Sequence, residues 1–313
     1  FNMIRKIYYT PLLVLCLSAC TKWYELDKGV SDFSVTAEKN SYKVGEEVKF
    51  VFNGDPDIIT FYSGEAFREY QYHEERVGSA SGAVNFSFRS NVSGGTQPDQ
   101  LKVLASTNFN GNYEDFSKLE SATWTDITSR FLLGTSATFR ASGVKDISDL
   151  IGSPDPNKPL FIAFRYMTYP QSSNGIGRTW GIQSTLVETN TSFGPFVGNM
   201  TKIGYKIMEK YPATPSRSTA TATAISLRAN TPDLDNLPFT DTWAVSDPIN
   251  LAKINFGPDR PNATIKNNTM NRLEGYTYSY SSPGVYKATF VAINANAQKS
   301  EQAAKEVTIT VTE

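Results

Sequence analysis

Both ends of this chain are written as alternating strands, and neither end holds enough of them to close a sandwich. Near the C-terminus, SPGVYKATFVAINAN (282–296) puts Tyr286, Ala288, Phe290 and Ala292 on one face. Tyr286 follows a Pro-Gly turn, where an immunoglobulin-like sandwich carries its tyrosine corner. KEVTITVTE then alternates Val307, Ile309 and Val311 with threonines, and EGYTYSYSS precedes both, giving about three strands. The stretch from Phe33 to Glu65 supplies about three more, including SYKVGEEVKF, a glycine turn followed by an alternating strand. A three-stranded sheet leaves an apolar face in water. Joined, the two ends make ~90 residues, the size of one immunoglobulin-like domain. The expectation is therefore an all-β protein in which residues 33–80 and 250–313 form one immunoglobulin-like β-sandwich. Residues 81–249 are inserted into it, which is tolerated where the two crossings lie close together. Two consecutive sandwiches are the alternative.

The inserted stretch reads as further strands, in AVNFSFRS, LKVLAST, PLFIAFRYMT, RTWGIQSTLV and TKIGYKIM, separated by Gly, Pro, Asn and Ser clusters. About eight strands suit a β-sandwich of jelly-roll type. Helix is expected only near 114–120 and 146–151. SSNGIG (172–177) reads as a hairpin tip, and ATPSRSTATATA (213–224) as a mobile loop or a strand edge. No internal repeat is visible.

The first twenty residues read as an address. Arg5 and Lys6 precede a short apolar run, Ile7 to Leu17, too short to span a bilayer. Leu17-Ser18-Ala19-Cys20 resembles a bacterial lipobox, which makes Cys20 the expected lipid-attachment residue. Residues 1–20 are then a lipoprotein signal peptide and 21–32 a tether, and two or more acyl chains would hold the protein at a membrane through lipid alone. Thr21, where an inner-membrane retention signal often has Asp, favours the outer membrane.

Composition narrows the chemistry. The only cysteines are Cys16 and Cys20, so the folded part has no disulfide and no thiol nucleophile. His73 is the single histidine, expected to be exposed and solvated. A formal charge of −1 offers no basic surplus for nucleic acid. Phosphate-cradling glycine loops, HExxH and GxSxG are absent. No catalytic residue, metal or cofactor is assigned.

Sugar binding needs planar rings flanked by Asn, Asp, Arg or Gln. The candidates for ligand binding are Tyr166, Tyr169, Asn174, Arg178 and Trp180, with Phe193, Phe196 and Arg165 near them in sequence. Trp124, Trp180 and Trp243 each sit inside an alternating strand, so core packing is the plainer reading for all three. Asn108, Asn110, Asn112, Glu114 and Asp115 are spaced like part of a calcium loop, but without the rest of that motif a turn is favoured. Asp126 and Asp146 suit turns or strand ends.

Taken in order, GEEVKFVFNGDPDIITFYSGE, ATWTDIT, AFRY, DTWAVSDPINL and PGVYKATFVAINAN resemble the domain of unknown function 5017 family, from about residue 33 to 313. STNFNGNYEDFSKLESATWTDIT (106–128), followed by ASGVKDISDL, LFIAFRYMT and RTWGI, also looks like the galactose-binding-like jelly rolls of carbohydrate-binding modules and secreted adhesins. The resemblance implies a bacterial surface lipoprotein, exposed on the outer membrane and associated with glycan uptake beside an outer-membrane transporter. It implies no catalytic residues. The expected function is non-catalytic binding of a polysaccharide or other glycan; the alternative is an adhesive or structural protein that binds a protein partner.

Overall fold

A computed structural model describes residues 26, 30–212, 216–230 and 240–313. Cys20, the signal segment and most of the tether lie outside the described residues, as do 213–215 of the small-residue stretch. The chain divides into two compact units: one runs to Glu74 and resumes at Pro258–Glu313, and the other is Glu75–Gly257.

In chain order, the terminal unit begins with β1 (Ser34–Ala37), β2 (Ser41–Lys43), β3 (Glu47–Asn53) and β4 (Ile58–Tyr62). The inserted unit holds β5 (Val77–Gly78), β6 (Ala80–Ser93), β7 (Leu101–Ser106), α1 (Phe116–Ser121), β8 (Thr125–Asp126), β9 (Arg140–Ala141) and β10 (Lys145–Asp146). It continues with β11 (Phe161–Thr168), α2 (Gln171–Asn174), β12 (Thr179–Thr191), β13 (Gly194–Asn199), β14 (Tyr205–Glu209) and β15 (Thr219–Ala220). It ends with β16 (Ala224–Leu227), β17 (Thr240–Ser246) and β18 (Ile254–Asn255). The terminal unit then resumes with β19 (Ala263–Lys266), β20 (Gly275–Ser279), β21 (Gly284–Ala295) and β22 (Ser300–Thr312).

The terminal unit is a sandwich of a three-stranded sheet, β1-β3-β20, and a five-stranded sheet, β19-β4-β21-β22-β2. Each sheet takes strands from both chain ends, so neither end could complete it alone. Pairing is antiparallel except between β2 and β22, which run parallel. β3 shows how the pattern becomes a face: Val48, Phe50 and Phe52 are buried and alternate with exposed residues. Phe50, Phe61 and Phe290 pack with ring centroids 4.9–6.0 Å apart. Tyr286 makes the corner its position implies. Its hydroxyl donates to the Ser282 carbonyl at 2.9 Å, and its ring stacks on Tyr280 at 4.2 Å. Gly64 has φ +81°, and a Cβ there would lie 2.6 Å from the Lys287 amide nitrogen, so glycine is required by both backbone and space.

The inserted unit, hereafter unit 2, has two antiparallel sheets around one core. The larger is ordered β10-β6-β12-β16-β15, with β13 also on β12 and β9 also on β6; the smaller is β14-β17-β11-β7-β8. Phe86 and Phe88 from one sheet meet Ile162, Phe164 and Tyr166 from the other in a continuous apolar cluster. The unit boundaries fall at 74/75 and 257/258, outside the 80/81 and 249/250 read from sequence. The reason is a two-stranded stem: β5 pairs with β18, Ile254 opposite Gly78, and Arg76 and Gly257 are joined by a backbone hydrogen bond of 3.0 Å.

Helix is sparse, as alternation implies. Asp115 caps α1 by accepting from the Ser117 amide at 2.9 Å. The stretch 146–151 forms β10 and a single 3-10 turn at Ser148–Leu150 instead of an α-helix. The expected hairpin tip at 172–177 is the short helix α2 followed by Gly175 at φ +84°. Residues 219–227 supply β15 and β16 at the sheet edge.

One repeat escapes a search of the sequence. In TDITSR and KDISDL, Asp126 and Asp146 each accept from the amide two residues on, at 3.0 and 2.8 Å. Ile127 and Ile147 are fully buried and donate their amides to Val103 and Val84. Thr128 and Ser148 return the bond, accepting from the same two residues' amides at 2.8 Å. Each copy thus clips one loop onto one sheet, and Arg130 joins the copies through a two-pronged ion pair with Asp149 at 2.7 and 2.6 Å. The shared signal is only Asp-Ile-Ser/Thr, too short to stand out by spacing alone.

Among the described residues no helix is long and apolar enough to cross a membrane.

Candidate functional site

The smaller sheet of unit 2 is covered on its inner face and in part on its outer one. Its inner face joins the main core. Its outer face carries a second apolar cluster, in which Leu104, Phe161, Met208 and Trp243 meet Phe109 and Leu119 from the segment 108–122. Beside this cluster the sheet face turns polar, because facing residues on adjacent strands share one side. Met208 lies opposite Trp243, Trp243 opposite Arg165, and Arg165 opposite Lys102. The row crosses β14, β17, β11 and β7.

These side chains bound a groove of about 490 Å³, lined by Lys102, Trp124, Asp126, Arg165, Asp241 and Trp243, with Glu120 at its side. Arg165 donates through Nε and Nη2 to the two oxygens of Asp241, at 2.9 and 2.7 Å. Its guanidinium also lies 5.0 Å from the Trp243 ring centre. Asp241 is 3 % exposed and accepts a third bond, from Trp243 Nε1 at 2.9 Å. Three bonds to one carboxylate fix both the guanidinium and the indole before any ligand arrives. Trp124 meets Trp243 edge to face at 5.2 Å and donates Nε1 to the Leu119 carbonyl. Lys102 pairs with Asp126 at 3.0 Å, and Lys210 with Glu120. Burial pushes the Asp126 pKa up, but the bonds from Thr128 and then Lys102 outweigh it, so the carboxyl titrates below its usual range.

Two of the sequence candidates are not surface groups. Tyr166 is fully buried, its hydroxyl donating to the Arg178 carbonyl, and burial raises its pKa well above the tyrosine range. It sits on the core side of β11, the face opposite Arg165. Trp180 is 7 % exposed within the main core, and its Nε1 has no hydrogen-bond partner among the described residues. Neither offers a ring to a ligand in this fold.

Tyr169, Asn174 and Arg178 do share a loop. Tyr169 is 51 % exposed and Asn174 exposed. Buried Gln97 pins the loop by donating to the carbonyls of Tyr169 and Gly175, both at 3.0 Å, and accepting from the Tyr169 amide at 2.7 Å. The Arg178 amide donates to Gln100 Oε1 at 3.0 Å. Among the neighbours considered with them, Phe196 packs on the main core and Phe193 lies under Arg76, whose guanidinium is 4.8 Å from its ring. His73 is half-buried and stacked on Tyr70 at 4.2 Å, not free in solvent.

The oxygens of 108–115 are occupied by backbone. Asn108 accepts from the Thr123 amide, Asn110 from Asn112, Asn112 from Glu114 and Asp115 from Ser117. These turns shape the segment that covers the outer face. Among the described residues no three His, Cys, Asp or Glu side chains are grouped to hold a metal.

Sequence reading reached Arg165 but placed Trp124 and Trp243 in the core. Trp243 is buried as expected, yet on the outer side of the sheet, where the signal was its two-residue spacing from Asp241 and the polar TDTW start of β17.

Fold and groove together define an all-β protein of two sandwich units, the second built into the first and carrying an aromatic, charge-paired groove. The family model described as domain of unknown function (DUF5017) matches residues 19–204, more than half of the chain, and the chain belongs to that family. The match stops before β14, short of the resemblance to residue 313 read from motif order. Neither a curated protein nor a solved structure matches the chain.

Proposed function

We propose that this chain is a non-catalytic glycan-binding lipoprotein, held at the outer-membrane surface by acyl chains on Cys20 and serving a polysaccharide uptake system beside its transporter. The observation that carries the reading is the groove in which the half-buried Trp124, backed by buried Trp243, stands beside Arg165, Asp241, Lys102 and Asp126. Its volume lies in the usual range of small-ligand sites, roughly 300–1,000 Å³. Aromatic rings suit the C–H faces of a pyranose. Paired donors and acceptors, planar in Arg165–Asp241, suit neighbouring hydroxyls, which accept from the guanidinium or ammonium and donate to the carboxylate. Each carboxylate is committed to a cation, an arrangement fitted to holding hydroxyls and not to passing protons.

Affinity electrophoresis through gels containing soluble polysaccharides tests the binding. Retardation of the wild-type chain that Trp124→Ala abolishes, with folding intact, is the expected result. Loss on Tyr169→Ala instead would move the site to the loop after β11. Metabolic labelling with an alkynyl fatty acid, lost in Cys20→Ser, tests the anchor.

A protein-binding role is the second reading. It is favoured by the exposed Tyr169 and Ile176 on the Gln97-pinned loop. Retention of a partner from outer-membrane extracts, lost in a Tyr169→Ala/Ile176→Ser variant, would support it.

A further inference from the structure

Edge strand β8 divides two cavities, only one of which is the groove described above. The pairing of β8 with β7 places Asp126 opposite Leu104 and Thr125 opposite Ala105. Leu104 belongs to the outer cluster and Ala105 to the inner core, so successive residues of β8 look to opposite sides. Trp124 and Asp126 line the groove. Thr123 and Thr125 line a second cavity of about 410 Å³, with Ser106, Asn108 and Asn157.

The chemistry of this second cavity is different. Its polar lining is hydroxyl and amide, with one cation, Lys158, facing Asp155 at 4.0 Å. Its rim is held in shape: Asn108 accepts from the Thr123 amide at 2.8 Å and from the Ser106 hydroxyl at 3.0 Å. On the groove side every cation has its own acid, Lys102 with Asp126, Arg165 with Asp241 and Lys210 with Glu120. The groove's cations are each paired with an acid, the second cavity holds the single cation Lys158 among hydroxyls and amides, and neither lining gathers a cluster of like charge. A single two-residue strand separates them.

We propose that the two cavities are successive subsites for one uncharged polysaccharide, whose chain crosses strand β8. This rests on the glycan-binding reading and adds to it a ligand class and a mode: a stretch of several units of a neutral polymer, not a single sugar or a uronate. Groove contacts alone would hold a short oligosaccharide. A longer one gains the hydroxyl and amide contacts beyond β8.

Calorimetric titration of the full chain with neutral glucan, mannan, xylan and galactan oligosaccharides, from disaccharides to hexasaccharides, tests this, with polygalacturonate as the charged comparison. Affinity is expected to rise with length for one neutral series and to be weak for polygalacturonate. Asn157→Ala is expected to weaken only the long members, by roughly fivefold for one lost hydrogen bond. Thr125→Trp fills the second cavity and should do the same or more, whereas Arg165→Ala weakens short and long alike. Affinity independent of length, or long-chain binding untouched by both Asn157→Ala and Thr125→Trp, overturns the second subsite and leaves the groove reading standing. Equal or tighter binding of polygalacturonate overturns the neutral class. A wild-type chain that binds no glycan of any length overturns both readings.

Discussion

At the scale of single residues, contact decides more than type. Tyr286 and Tyr166 are both tyrosines on alternating strands, yet one closes a corner with its hydroxyl at Ser282 and the other is sealed in a core. Tyr286→Phe is expected to cost about 1 kcal/mol in urea unfolding, the net value of one intramolecular hydrogen bond, without changing the fold. The Arg130–Asp149 pair gives a pH signature. The hydrogen bond from Arg130 is the main cause of a depressed Asp149 pKa, so the stabilisation it brings is present above the unfolded carboxyl pKa, ~4, and is lost as pH falls through the lower folded value. Arg130→Gln should therefore lower stability at pH 7, and its difference from wild type should shrink below about pH 4; unfolding curves at several pH values check this. In sequence Tyr166 reads as a ligand contact although it shares a face with Ile162 and Phe164, and that shared face is what buries it. Trp124 reads as core and lines the groove instead, because alternation shows that a strand has two faces and not that both are covered.

Elements show why the groove was hard to foresee. β11 reads as one buried and one open face, but the open face is partly roofed by the segment 108–122, and the open remainder forms the groove. That roof is built from asparagine turns whose sequence resembled metal ligation, and their oxygens are used by the chain itself. The Asp-Ile-Ser/Thr clips are the second lesson at this scale. Thr128→Val and Ser148→Ala each leave a strand amide, Val103 or Val84, without its side-chain acceptor. Each should cost roughly 1–3 kcal/mol, the desolvation cost of an unpaired donor. Denaturant unfolding of the two single variants and the double variant checks the size, and the double should exceed either single because the clips sit on different sheets.

For the whole molecule, the decisive feature was readable: two half-sets of strands at opposite ends of one chain. The β-type, the two-ended sandwich and the core faces of β3, β21 and β22 follow from alternation and turns alone. The crossing points did not, because β5 and β18 are two residues long and exist by pairing with each other. The unit account predicts that residues 75–257, expressed alone, fold and unfold in one cooperative transition. It also predicts that the terminal unit folds when 75–257 is replaced by a short glycine-containing turn. Circular dichroism and thermal melts of both pieces check this, and a molten terminal piece would mean that it depends on the insertion.

The central claim is that the outer-face groove of unit 2 receives a glycan. Tryptophan placement makes it measurable, since Trp124 and Trp243 line the groove while Trp180 is sealed in the core. The most direct measurement is intrinsic fluorescence of the chain from residue 21, titrated with polysaccharides, in wild type, Trp180→Phe and the double variant Trp124→Phe/Trp243→Phe. A saturable quench or blue shift kept in Trp180→Phe and lost in the double variant is the predicted result. A saturable change kept in full in the double variant, or no change with any polysaccharide, would contradict it.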